Sequence, residues 1–169
     1  MIIGHGDIAR VLKGRKGFIF FASGVSKSSE KRESEYQREI DLLMKQDKKK
    51  HLVYFSSLSI FYRNTRYTKH KIQMEDLVRS TFRYYTIVRL GNITWGKNPH
   101  TLINYFRNAA KEGKKFKIWN TYRYLVDEKE FLHWINLIPD RNCEMNVTGV
   151  RMKVKDIVKK YVYPELPNK

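Results

Sequence analysis

Tyr67 and Lys71 stand four residues apart, and Ser57 precedes Tyr67 by ten. A Tyr and a Lys at that spacing share one face of a helix, where the ammonium can lower the phenol's pKa and leave it able to exchange a proton near neutral pH. Ser57 follows the apolar run Val53-Tyr54-Phe55. A hydroxyl at the carboxyl end of a strand could hydrogen-bond a reacting carbonyl or alcohol oxygen. The three together could move a proton onto or off a carbon-bound oxygen. Taken alone the pair says little, because a chain with eleven Tyr and many Lys carries such pairs on ordinary helix surfaces.

A second chemical element lies at the start. Gly4-His5-Gly6-Asp7-Ile8-Ala9 follows a short apolar run and leads into the helical-looking Ile8–Leu12. In this Gly-x-Gly-x-x-Ala pattern the glycines let the backbone turn tightly and approach a pyrophosphate, whose charge is drawn to the free N–H groups at the helix start. A glycine-rich turn between strand and helix also occurs without any nucleotide.

The elements that must carry these residues follow from periodicity. Apolar, β-rich runs at Met1–Ile3, Gly17–Ala22, His51–Phe55, Tyr84–Leu90 and Lys115–Trp119 predict strands, with a short one at Glu144–Val147. Helical spacing sets Tyr36, Ile40 and Leu43 together in Glu35–Lys45, and Leu102, Ile103, Phe106 and Ala110 together in Pro99–Glu112. Asp127 is a good helix-start residue for the segment bearing Phe131, Ile135 and Ile138. Alternating strands and helices predict an α/β fold, a mostly parallel sheet with helices on both faces, whose ligands bind at the carboxyl ends of the strands. The loops near Gly4, Ala22, Ser56 and Gly91 are then the ones to inspect.

The length of 169 residues suits one domain, taken as 1–169. No apolar run reaches membrane-spanning length and nothing resembles a secretory signal, so the expectation is a soluble, cytoplasmic protein. The lone Cys143 and the scattered His5, His51, His70, His100 and His133 show no zinc spacing, and no metal is expected. A formal charge of +17 favours anionic partners, whether nucleic acid, phosphorylated ligand or anionic surface.

In chain order these pieces resemble the extended short-chain dehydrogenase/reductase family of nucleotide-sugar epimerases, dehydratases and reductases. Gly4–Ala9 is similar to the phosphate loop, and Phe20-Phe21-Ala22-Ser23-Gly24 to a strand ending in small residues against the cofactor. Val53–Phe61 resembles the strand bearing the catalytic Ser/Thr, at Ser57, and Tyr67 and Lys71 match Tyr-x-x-x-Lys. Val88–Asn92 and Arg123–Asp127 look like two later family segments. The resemblance implies a Rossmann-like fold binding NAD or NADP through Gly4, Gly6, Ala9, Ala22, Ser23 and Gly24. It implies catalysis by Ser57, Tyr67 and Lys71 on a nucleotide-linked sugar held by Asn92 and Arg123. It also implies a homodimer paired through Lys69–Phe82, with Ile72, Leu77 and Val78 available for contact.

The departures are large. Only Arg10 to Lys16 separate the phosphate loop from the next strand, where the family has two further strand–helix units. No acidic ribose ligand can be assigned, and Lys13, Arg15 and Lys16 are as well read as solvated charges as phosphate contacts. Asn92 is equally a turn residue, and Arg89 and Arg123 could bind a diphosphate or pair internally with Asp127 or Glu128. Two alternatives stay open: a descendant without cofactor that serves as a binding or assembly module, and a basic nucleic-acid-binding domain, which no recognised motif supports.

Overall fold

A computed structural model describes residues 1–163. Four parallel pairings order its main sheet β1-β2-β3-β4-β7, from β1 (Ile2–Ile3), β2 (Phe18–Phe21), β3 (His51–Ser57), β4 (Tyr85–Leu90) and β7 (Cys143–Val147). Strands β2 and β3 read as almost continuous apolar runs because both faces of the sheet are covered. Alternate residues divide between two cores. Phe18, Phe20, Val53, Phe55 and Val88 pack with Phe131 and Ile135 of α5 (Glu128–Asn136) and with Ile8 and Val11 of α1 (Asp7–Val11). Ile19, Phe21, Leu52, Tyr54 and Ile87 face Leu43 of α2 (Glu33–Met44) and Met74 and Val78 of α3 (Arg66–Thr81).

The fold is the expected one: α/β, mostly parallel, helices on both faces, without two of the usual strand–helix units. The shortening has a definite place. Strand β2 pairs directly beside β1, and among the described residues no strand pairs with the other edge of β1.

A small second sheet, β5-β6-β8, adjoins the carboxyl ends of the main strands. It combines β5 (Asn92–Ile93) and β6 (Tyr122–Val126) in parallel with β8 (Val150–Lys153) antiparallel to β6. Its support comes from α4 (Leu102–Lys111) and α6 (Val154–Tyr161), joined by Phe106, Val154 and Val158. Here the expectations need correction. Lys115–Trp119 forms no strand; Phe116 and Trp119 instead lay their rings against Phe106 of α4, at centroid distances of 5.2 and 5.6 Å. Helix α4 opens at Leu102 rather than Pro99, because the Thr101 side chain caps it by accepting from Asn104 N. Asp127 does cap α5, accepting from Glu130 N. Among the described residues no helix is long and apolar enough to cross a membrane.

Candidate active site

Strand ends and helix starts converge on one cavity of about 970 Å³. It lies at the carboxyl ends of β1 to β4, the position that parallel sheets reserve for ligands. Gly6, Ala22, Ser23, Gly24, Ser57, Tyr67, Lys71, Asn92 and Arg123 all line it. Gly4 and Ala9 do not. Ala9 is buried beneath the loop, and Gly4 holds φ +115° with the Ala22 carbonyl so near that a Cβ would stand 2.4 Å from its oxygen. Gly4 therefore shapes the β1–α1 turn and its approach to the β2 end rather than the cavity wall. Gly6, by contrast, has open space where a Cβ would be.

The loop's acidic residue is already engaged. Asp7 accepts from the backbone N–H groups of Lys97 and Asn98 at 3.0 and 2.8 Å, which ties the β1–α1 turn to the segment before α4.

Tyr67 and Lys71 enter the cavity from the first turns of α3, whose start is fixed by a reciprocal cap between Thr65 and Thr68. The Lys71 ammonium lies 5.8 Å from the centre of the Tyr67 ring. Burial raises the Tyr67 pKa above its ordinary value, against the opposing pull of Lys71 and a smaller one from Ser57. The expectation of a phenol poised near neutrality is thus corrected: desolvation of the phenolate outweighs the ammonium. Ser57 begins a short 3-10 turn, Leu58–Phe61, and its hydroxyl sits 2.8 Å from that of Ser59 while accepting from Ser59 N.

Two further residues escaped the sequence reading. Glu39 of α2 is fully buried and takes hydrogen bonds from Val25 N, the Tyr54 hydroxyl, His70 Nε2 and Lys71 Nζ. Removing one partner from an ion pair buried this deeply costs about 3–5 kcal/mol. A sequence signal existed, since Tyr36, Glu39 and Leu43 fall on one helical stripe, as do Lys71, Met74 and Val78. The second is Ser56, a residue of the cavity wall whose hydroxyl is buried and has no hydrogen-bond partner among the described residues. A buried orphan hydroxyl at a cavity wall suits a polar ligand.

On the far wall, Asn92 donates to the Tyr124 carbonyl at 3.1 Å, and Arg123 donates to Thr121 Oγ1 and the Tyr122 carbonyl. Burial and the neighbouring Arg63 guanidinium push Arg123 below its usual pKa, with Tyr62 acting the other way. Arg123 and Arg63 both line the cavity, and the groups that Arg123 Nη1 bonds are neutral. Arg89 is different. It pairs with Glu75 and Glu144, not with Asp127 or Glu128, and leaves no role for itself at a diphosphate. Arg15 likewise bonds Asp140 and the Ile138 carbonyl. Among the described residues no group of three or more His, Cys, Asp or Glu side chains could hold a metal ion.

No protein-family model and no curated protein sequence matches the chain. Solved structures do. The Bordetella bronchiseptica enzyme WbmG, in complex with NAD and UDP, superposes at a TM-score of 0.65 and 18% identity, covering 89% of this chain and 58% of its own. The two chains share a fold. Thermus thermophilus UDP-glucose 4-epimerase in complex with NAD gives 0.63 at 12% identity, with 87% and 61% covered. Bacillus anthracis dTDP-glucose 4,6-dehydratase in complex with NAD gives 0.63 at 16% identity, with 84% and 56% covered. The chain thus spans less than two thirds of the length of these similar structures. These TM-scores show a shared fold.

Proposed function

We propose that this chain is an NAD(P)-dependent oxidoreductase or epimerase acting on a nucleotide-linked sugar. The observation that carries the reading is the convergence of Ser57, Tyr67 and Lys71 with Gly6, Ala22, Ser23 and Gly24 around one cavity. Its volume lies at the upper end of the roughly 300–1,000 Å³ usual for small-molecule sites.

The residues fit the nicotinamide half of a dinucleotide. Gly6 leaves room for a phosphate to approach the backbone, small residues follow β2, and Ser56 presents an unsatisfied buried hydroxyl. A nicotinamide there would supply the hydride donor or acceptor. The adenosine half has less to hold it, because among the described residues no strand lies beside β1 where the ribose ligand is ordinarily carried.

In the proposed reaction Tyr67 exchanges a proton with the sugar hydroxyl or keto oxygen. Ser57 hydrogen-bonds that oxygen and holds it within reach, and Lys71 contributes positive charge that favours the phenolate as the proton leaves. Arg123 and Arg63 offer donors to a diphosphate, and a guanidinium binds such a group best when both of its forks are free. That Arg63 stands near enough to lower the Arg123 pKa, with no ion pair from either to a carboxylate among the described residues, supports an anionic occupant.

Calorimetric titration of the folded protein with NADH and with NADPH tests the reading. Micromolar binding of either is expected. Silence with both would overturn it in favour of a module that has lost its cofactor, a reading supported by the edge of β1 that no strand pairs among the described residues. Mass spectrometry of co-purified nucleotides would then identify the substrate class. We further propose a homodimer through the exposed face of α3, where Ile72 is exposed and Leu77 half-buried. Val78, expected on that face, is core. Light scattering at moderate salt, which screens the repulsion between two +17 chains, would show a mass of about twice 20.3 kDa.

A further inference from the structure

The buried cluster beside the cavity fixes the direction of each of its polar groups. Lys71 has three N–H donors. One goes to Glu39 Oε1 and one to the Tyr54 hydroxyl, each at 3.0 Å. The Tyr54 proton is committed to Glu39 at 2.7 Å, so its oxygen must face the lysine as acceptor. Glu39 is filled as well, accepting from Val25 N at 2.6 Å and His70 Nε2 at 3.0 Å in addition. Over this cluster runs the Gly24 backbone, where a Cβ would stand 2.6 Å from Lys71 Nζ and 2.7 Å from Glu39 Oε1. A side chain at position 24 would force the Lys71 ammonium or the Glu39 carboxylate to move, and Lys71 still borders the cavity.

We propose that Glu39 is a positioning residue: with Tyr54 it occupies two of the three N–H donors of Lys71 and leaves the third for an acceptor oxygen of the ligand in the cavity. The proposal rests on the reading of that cavity as a cofactor site and deepens it by naming what holds the lysine. A lysine this buried is ordinarily long and mobile enough to seek water. Here a fixed carboxylate and a fixed phenol remove that freedom before any ligand arrives.

Charge follows the same geometry. Burial pushes the Lys71 pKa down, and the Glu39 carboxylate, with smaller contributions from Tyr67 and Glu75, more than offsets it, so the ammonium stands above its ordinary value. Tyr54 on β3 and His70 on α3 are the other titratable groups facing the pair. Without Glu39, burial would act on Lys71 almost unopposed.

Two measurements test this. Lysine side chains carrying ¹³C at Cε, with the Lys71 signal assigned through Lys71→Arg, are titrated by NMR in the wild-type protein and in Glu39→Gln. Lys71 is expected to stay protonated beyond the ordinary lysine range of about 10.4 in the wild type and to titrate below it in the variant. NADH affinity is measured by calorimetry at about pH 6 and pH 9 in the same proteins. The wild type should bind equally at both; Glu39→Gln should weaken by about tenfold or more toward the higher pH as its lysine loses charge. Glu39→Asp, which keeps the charge, should restore most of the pH 9 binding.

A Lys71 that titrates alike in both proteins, or below the ordinary range in the wild type, overturns the proposal, as does a loss of affinity equal at both pH values. If Glu39→Gln does not fold, the wild-type titration decides alone. Wild-type protein that shows the raised lysine but binds neither NADH nor NADPH would instead defeat the cofactor reading and leave the link between Glu39 and Lys71 standing.

Discussion

The Lys71 ammonium lies one helical turn from the Tyr67 ring, 5.8 Å from its centre, yet the phenol stands above its ordinary pKa because burial outweighs the neighbouring charge. On the proposed reading, Tyr67 gives up its proton only where a bound ligand offsets that cost of burial.

That relationship predicts a specific titration. Difference absorbance between wild type and Tyr67→Phe should show the Tyr67 phenolate forming only above the ordinary tyrosine value of about 10. A phenolate appearing near neutrality would contradict it. The same substitution should lower turnover on an accepted sugar nucleotide by about 10²–10⁴-fold, the usual worth of a positioned acid–base group, with the melting temperature unchanged.

Two glycines in one loop should separate stability from binding. Gly4→Ala forces a side chain into a φ of +115° and against the Ala22 carbonyl, and should cost about 1–3 kcal/mol or more, visible as a lower melting temperature. Gly6→Ala meets no protein atom, so the fold should be kept, while the new methyl stands where a phosphate would approach and weakens NADH binding. Equal melting temperatures for wild type and Gly4→Ala would disprove the first half; unchanged NADH affinity in Gly6→Ala, the second.

Arg123 and Arg63 should report on the diphosphate. Replacing Arg123 by Ala should reduce UDP affinity by about tenfold or more, since a charge-assisted hydrogen bond contributes about 1.5–3 kcal/mol. Arg89→Ala would damage stability instead, because its partners are Glu75 and Glu144. If Arg123→Ala bound UDP as well as the wild type, the diphosphate would have to sit elsewhere.

Acid should loosen the junction of α3, β4 and β7. Hydrogen bonds from Arg79, the largest influence, and from Arg89 hold Glu144 at a pKa of about 2 despite partial burial. A depressed carboxylate contributes stability above its unfolded value of about 4.3, and that contribution is lost as pH falls from there toward 2. Glu144→Gln should therefore melt about 2–4 °C lower at pH 7, corresponding to about 1 kcal/mol, and the gap should close near pH 2. A gap independent of pH would point to lost packing alone.

The sequence by itself determined the alternation of strands and helices, the place of the cavity and most of its lining. These are local properties: apolar runs set strands, Tyr36-Ile40-Leu43 spacing sets a helix, and a parallel sheet brings the loops after Ile3, Phe21, Ser57 and Leu90 to one edge. The tertiary structure decided what depends on distance along the chain. Glu39 shares the apolar stripe of Tyr36 and Leu43, but its partners come from α3, which packs His70 and Lys71 against it from 31 and 32 residues away. Lys115–Trp119 has a strand's composition, but its aromatics lay their rings against Phe106, Phe116 half-buried and Trp119 exposed, and the strand forms later at Tyr122, where β8 supplies a partner. The phenol of Tyr67 shows the same division. Its spacing to Lys71 was legible in the order of residues, but the cost of charging it depends on how much water the surrounding chain removes, which only the packed structure sets.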